Sequence, residues 1–202
     1  MALRSVALAI AIFFIFPLIV AVLGKPVIGF VGLWLVVVYW VFRHSVVLGW
    51  PTRKQLSPVL VRTILVGVLL GVVLWLLKPE YLLAFPLHMP DRYILVMLVY
   101  PFLSVLPQEI LFRCVFWHLF SDASQRSRVF WNAAAFAVAH SIFLNPVAVM
   151  LSFVGGLFLA RTYEQHRHLG LVCVEHTLYG WLVFTIGWGI YFYHGAVGMW
   201  GA

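Results

Sequence analysis

Apolar runs of helix length follow one another along almost the whole chain, separated by short polar stretches. They lie at about 6–23, 27–42, 59–77, 93–107 with a continuation to about 120, 129–144, 147–162 and 171–187, and a short aromatic tail follows at 188–200. Runs that are apolar on every face do not show the alternation of barrel strands, so they predict helices. A helix crosses a bilayer with ~20 apolar residues, or ~17 when its flanks snorkel. The pattern therefore predicts an all-α, polytopic membrane protein with seven to eight transmembrane helices, the tail being the eighth. Residues 1–202 read as a single membrane domain with no internal repeat and no soluble domain. The first run follows Arg4, lacks an A-x-A cleavage pattern and is succeeded at once by another apolar run, so it reads as a retained helix. The stretches 43–58 and 78–92 read as loops. Pro101 and Pro107 fall inside the fourth run, where a missing backbone donor predicts a bend just before polar residues.

Composition strengthens this picture. Of 202 residues, 64% are hydrophobic and 9% charged, against roughly 45–50% and about 25% in soluble domains. An ordinary cytosolic enzyme, a disordered chain and a disulfide-rich secreted domain are excluded. The net charge of +7 does not point to nucleic acid, because the Lys and Arg residues stand singly between apolar runs. They serve as topology signals. Arg43, Arg53, Lys54 and Arg62 mark one connection, Arg126 and Arg128 another, and Arg161 and Arg167 a third. Alternate connections hold Lys25, or Lys78 and Arg92 beside Glu80 and Asp91, or no basic residue. All strongly basic ends share one side if the N-terminus, with Arg4, is cytoplasmic, which predicts an integral multi-pass protein of a bacterial inner membrane. Cys114 and Cys173 lie in apolar runs without metal-ligand spacing and read as core thiols.

The chain has six acidic residues in all. Glu80, Asp91, Asp122 and Glu164 sit in loops or at helix ends, near water. Glu109 and Glu175 sit inside apolar runs, where a charge is costly and marks a functional candidate. Glu109 and Arg113 are four apart and share a helix face. That spacing suits an ion pair that lets two charges survive in lipid, yet such a pair gains less than apolar packing would and needs a further reason to be there. Gln108 adds a donor and an acceptor beside Glu109.

His140 lies in the 129–144 run and His176 near the start of the 171–187 run. At ~1.5 Å per residue, Glu109 and His140 lie ~17 Å and ~18 Å from their basic helix ends, so the two depths match on consecutive antiparallel helices. His176 comes out shallower unless the turn at 163–170 dips into the protein. His44, His88, His118, His166, His168 and His194 read as interfacial. A carboxylate and two imidazoles in a shielded cavity can activate water for attack on a carbonyl and stabilise the oxyanion. The same donors, Glu109, His140 and His176, could hold a divalent metal, although no HExxH is present. They would also suit a transporter or, through His140 and His176, axial ligation of haem; no symmetry between halves supports a transporter.

These residues resemble the motifs of the CPBP family, the CAAX-protease and bacteriocin-processing or Abi family of intramembrane proteases. Its three motifs are EExxxR, FxxxH and HxxxN/D. Here they read Gln108-Glu109-Ile110-Leu111-Phe112-Arg113, Phe136 through His140, and His176 through Gly180. The resemblance covers about 93–187, the catalytic helices. It implies an eight-helix fold with a cavity open to the cytoplasm and glutamate-based hydrolysis of peptide bonds in membrane-associated or lipid-modified peptides, without a cofactor. The expected partners are the lipid bilayer and a peptide or protein substrate, with no nucleic acid. Two positions depart from the motifs. Gln108 replaces the first Glu, to which the family's general base is usually assigned, and Gly180 replaces the polar residue that ends the third motif. The resemblance leaves three readings: Glu109 is the base, Glu175 substitutes for it, or the chain is an inactive member serving as scaffold or immunity protein. The preferred assignment has Glu109 as base, His140 orienting water, His176 aiding the oxyanion, Arg113 holding Glu109, and Glu175 tuning His176 or assisting the base.

Overall fold

The computed structural model describes residues 3–192. Among them there is no strand. The chain forms α1 (3–23), α2 (Pro26–Arg43), α3 (Arg53–Leu77), the short α4 (Ala84–His88), α5 (Pro90–Leu119), α6 (Gln125–Ala139), α7 (Pro146–His166) and α8 (Leu169–Ile186). Five of these, α2, α3, α5, α7 and α8, are long and apolar enough to cross a membrane. Their outer faces carry exposed large side chains such as Phe42 (85%) and Leu65 (65%). Those faces are what a multi-pass protein offers to lipid. The aromatic tail beyond 192, with its expected eighth span, lies outside the described residues.

The helix ends have local causes. Gly24 closes α1 in the left-handed region at φ 63°, a conformation that glycine adopts without steric penalty. Helix α3 starts at Arg53, inside the stretch expected as loop 43–58, because Thr52 caps it and its backbone N–H donates to Gln55 Oε1 at 2.9 Å. The expected loop 78–92 likewise contains a 3₁₀ turn at Pro79–Tyr81 and the helix α4.

Helix α5 is one continuous rod with two π turns, Pro101–Val105 and Ile110–Val115. Pro101 has no N–H for the carbonyl of Met97, and Trp181 Nε1 of α8 donates to that carbonyl instead at 3.0 Å. The freed acceptor is thus satisfied from a neighbouring helix, as apolar surroundings require.

Helix α6 ends earlier than the apolar run. His140 opens a 3₁₀ turn, His140–Phe143, instead of lying mid-helix. His140 Nδ1 donates to Phe136 O at 2.7 Å and Ser141 Oγ donates to Val138 O at 2.7 Å, so side chains take up the last-turn carbonyls. Asn145, held extended before Pro146, then caps α7 by accepting from Val147 N at 2.9 Å. Helices α6 and α7 pack closely because Gly156 faces the backbone of Ala133; a Cβ there would come within 3.2 Å of Ala133 Cα. The core joins α1, α5 and α6 through a ladder of rings. Phe13 lies 5.1 Å from Phe116 and 5.5 Å from Phe112, and Phe112 lies 5.1 Å from Phe136.

The start of α8 runs beneath the 44–52 connection. Gly170 N donates to Leu48 O at 2.7 Å, and Leu169, Gly170, Leu171 and Val172 are all buried. The turn itself does not dip: Gln165, His166 and Arg167 are exposed and burial begins at Leu169, yet His176 still reaches Glu109, at 2.7 Å.

Candidate active site

Glu109 and Arg113 occupy one face of α5 and are both fully buried. Arg113 Nε donates to Glu109 Oε2 at 2.6 Å. Arg113 Nη1 donates to Asn132 Oδ1, and Asn132 Nδ2 returns to Phe112 O at 2.7 Å. Asn132 thereby locks the guanidinium against α6. The sequence reading overlooked it, although a lone Asn in an apolar run, four residues before Phe136 and eight before His140, marks one helix face.

The other carboxylate oxygen of Glu109 meets α8. His176 Nδ1 donates to Glu109 Oε1 at 2.7 Å. With Nδ1 occupied, the neutral ring has Nε2 as its acceptor. His140 has the same polarity, because its Nδ1 donates to Phe136 O and leaves Nε2 as acceptor. Phe136 separates and orients the two imidazoles, its ring centroid lying 4.5 Å from that of His140 and 5.4 Å from that of His176.

Two cavities meet at this group. One, of about 200 Å³, is lined by Tyr100, Ser104, Gln108, His140 and His176 among others. The second, of about 240 Å³, is built mainly from apolar side chains of α1 and α2 and shares Ser104, Gln108, His140 and Phe143 with the first. Gln108 Nε2 donates to Ser104 Oγ at 2.8 Å, while Gln108 Oε1 is buried without a hydrogen-bond partner among the described residues. A buried acceptor left open in a cavity wall is positioned for a donor from water or ligand. Glu109 lines neither cavity. It reaches the cavity only through His176.

Glu109, His140 and His176 are thus neighbours, with Gln108 and Arg113 beside them. Among the described residues no group of three or more His, Cys, Asp or Glu side chains could hold a metal ion. Glu109 spends both oxygens on Arg113 and His176.

Glu175 does not join this group. One residue from His176, it points to the other side of α8, where Arg62 Nη2 donates to its Oε1. Tyr179 Oη donates to the same oxygen at 2.8 Å, and Arg62 Nε donates to Tyr179 Oη at 2.7 Å. Arg62 also donates to Thr162 Oγ1 at 2.9 Å, so the cluster ties α3 to α7 and α8. Arg62, read from the sequence as one of the basic-end signals, therefore has an internal partner. Glu164, expected near water, has a side chain only 6% exposed. It accepts from Arg128 Nη2 at 2.6 Å, Trp117 Nε1 at 2.6 Å and Arg167 Nη2 at 2.9 Å, clasping the ends of α5, α6 and α7. Both cysteines are free thiols.

Residues 90–182 match the family model described as Type II CAAX prenyl endopeptidase Rce1-like. The matched stretch contains all three motifs and runs from the start of α5 into α8. No curated protein and no solved structure gives a significant match to the chain.

Proposed function

We propose that this chain, which over residues 90–182 carries the Rce1-like segment of the CAAX-protease family, is an intramembrane endopeptidase that hydrolyses peptide bonds of membrane-associated or lipid-modified peptides. The observation that carries the reading is the 2.7 Å contact of His176 Nδ1 with Glu109 Oε1. It makes a carboxylate–imidazole pair whose histidine lines the cavity.

In this reading Glu109 acts through His176. A water in the cavity gives its proton to His176 Nε2 as its oxygen attacks the substrate carbonyl carbon. Glu109 holds the ring in the required tautomer and stabilises the imidazolium that forms, the role of the orienting acid in a catalytic triad. Arg113 neutralises Glu109 at rest, so the transient imidazolium and the oxyanion appear together and balance. The tetrahedral intermediate collapses as His176 returns the proton to the leaving nitrogen and the C–N bond breaks. His140 Nε2 accepts the water's second O–H and so aims the oxygen lone pair at the carbonyl carbon. No metal and no cofactor enters these steps. The basic-end pattern supports an N-terminus on the cytoplasmic side.

The test is comparative proteomics of membrane-protein termini in cells expressing wild type or Glu109→Gln. Termini that vanish in the variant are the expected result; identical terminal sets would overturn the protease reading. A second reading has its own observation: among the described residues, those lining the two cavities include no Asp or Glu. A non-hydrolytic member that binds peptides or partner membrane proteins would fit that lining. Such a scaffold keeps its phenotype in Glu109→Gln cells.

A further inference from the structure

Helix α8 presents His176, Gly180 and Phe184 on one face, four residues apart. Gly180 leaves a notch in that face, and the ring of Tyr100 from α5 fills it. The ring stands edge-on to His176 (6.0 Å, 84°) and to Phe184 (5.6 Å, 81°). A Cβ built on Gly180 would lie only 2.5 Å from Tyr100 Oη and would run into the ring itself. The phenol therefore stands where any side chain at position 180 would begin. It lines the same cavity as Gln108, His140 and His176, and no hydrogen bond to its hydroxyl occurs among the described residues.

We infer that Tyr100 supplies the hydrogen-bond donor for the oxyanion of the tetrahedral intermediate, from α5 across the gap that Gly180 leaves. The inference rests on the hydrolytic reading above and adds a catalytic residue to it. Three features carry it. Gly180 has no side chain with which to donate. His176 and Phe184 clamp the phenol ring edge-on, so its Oη is fixed before substrate arrives, and a pre-oriented donor is what stabilises developing charge. The hydroxyl is uncommitted, so it can donate without first breaking a bond. In the step itself, the C–O double bond of the scissile carbonyl opens as water adds, and the electron pair goes to that oxygen. Tyr100 O–H donates to it and keeps its own proton. The double bond re-forms when the C–N bond breaks.

The experiment uses the full chain in lipid nanodiscs. The probes are an S-farnesyl-cysteine peptide and its phosphinate analogue, whose P–O⁻ imitates the oxyanion. Wild type should bind the phosphinate more tightly than the parent peptide. Tyr100→Phe should lose about 10²-fold of that preference, with a matching fall in kcat and an unchanged KM. Gly180→Asn alone should be impaired by collision with the ring, whereas Tyr100→Ala/Gly180→Asn, which returns a donor from α8, should recover at least about tenfold over Tyr100→Ala. A residue that only packs would gain nothing from that exchange. Equal binding of phosphinate and peptide by wild type overturns the inference, as does an undiminished preference in Tyr100→Phe. The hydrolytic reading fails separately: absence of turnover by wild type sinks it, while the phosphinate preference still reports on Tyr100.

Discussion

Glu109 and Glu175 have much in common. Each is fully buried, each is paired with an arginine, and each bears on α8, Glu109 by contact and Glu175 as one of its residues. Their surroundings separate them. Glu109 takes its arginine from its own helix at i+4 and uses its second oxygen to hold a histidine whose other face belongs to a cavity. Glu175 takes its arginine from α3 and shares it with Tyr179 and Thr162, in a cluster that fastens three helices. On α8 the two addresses are one residue apart, at 175 and 176, which is about 100° of rotation. The same chemical pair is a tether on one side of the helix and the support of a reacting group on the other. Burial and charge alone cannot tell these apart; the second oxygen's partner can.

The largest break in that comparison should come from activity. Glu109→Gln and His176→Ala should each lower kcat by about 10²–10⁴-fold, because the imidazole loses its orienting acid or is removed. Glu175→Gln should leave turnover at the wild-type level. Cleavage of a reporter peptide by purified protein in nanodiscs checks both. Equal loss in Glu109→Gln and Glu175→Gln would erase the distinction. Stability should move the other way. Glu175→Gln strands the Arg62 guanidinium, and the resulting loss should be about 2–3 kcal/mol, below the range for fully buried pairs because Arg62 keeps some contact with its surroundings. It is read as a lowered Tm in detergent. Arg62→Met/Glu175→Met should regain most of it, since removing both charges avoids the unpaired one. The smallest effect sharpens the site. Gln108→Glu should raise turnover by about tenfold, because a carboxylate there can accept the water's proton directly. A fall would mean that the amide is needed as it stands.

Much of this was legible in the sequence. Apolar run length located the long helices, and their scarcity of charge singled out Glu109, Glu175, His140 and His176. Pairing was harder to read. Position 175 sits beside a histidine in sequence, yet adjacent helix residues face different neighbours, so its link to His176 did not follow. The partner of Arg62 lies more than a hundred residues away, and no local pattern encodes such a contact. The end of α6 at Ala139 depends on side chains of His140 and Ser141 taking backbone carbonyls, which hydrophobicity does not register. By contrast the start of α3 was readable: Thr52 and Gln55 have capping-box spacing, which outranks the polar look of 43–58. Tyr100 was hidden because its role depends on the absence of a side chain at Gly180.

The π turn at Pro101–Val105 acts as a phase corrector. On an unbroken α helix, Gln108 would sit about 80° around the axis from Tyr100. A π turn absorbs one extra residue and winds the later part back by about 100°, so the two come nearly into line. Tyr100, Ser104 and Gln108 indeed border one cavity. Regularising that turn to plain α-helix with all its residues kept would therefore leave the length and greasiness of α5 almost untouched, yet swing everything after it out of register with everything before; deleting one residue along with the bulge would keep the register. The wheel of α5 has two halves, and the bulge is the keyway that sets one against the other.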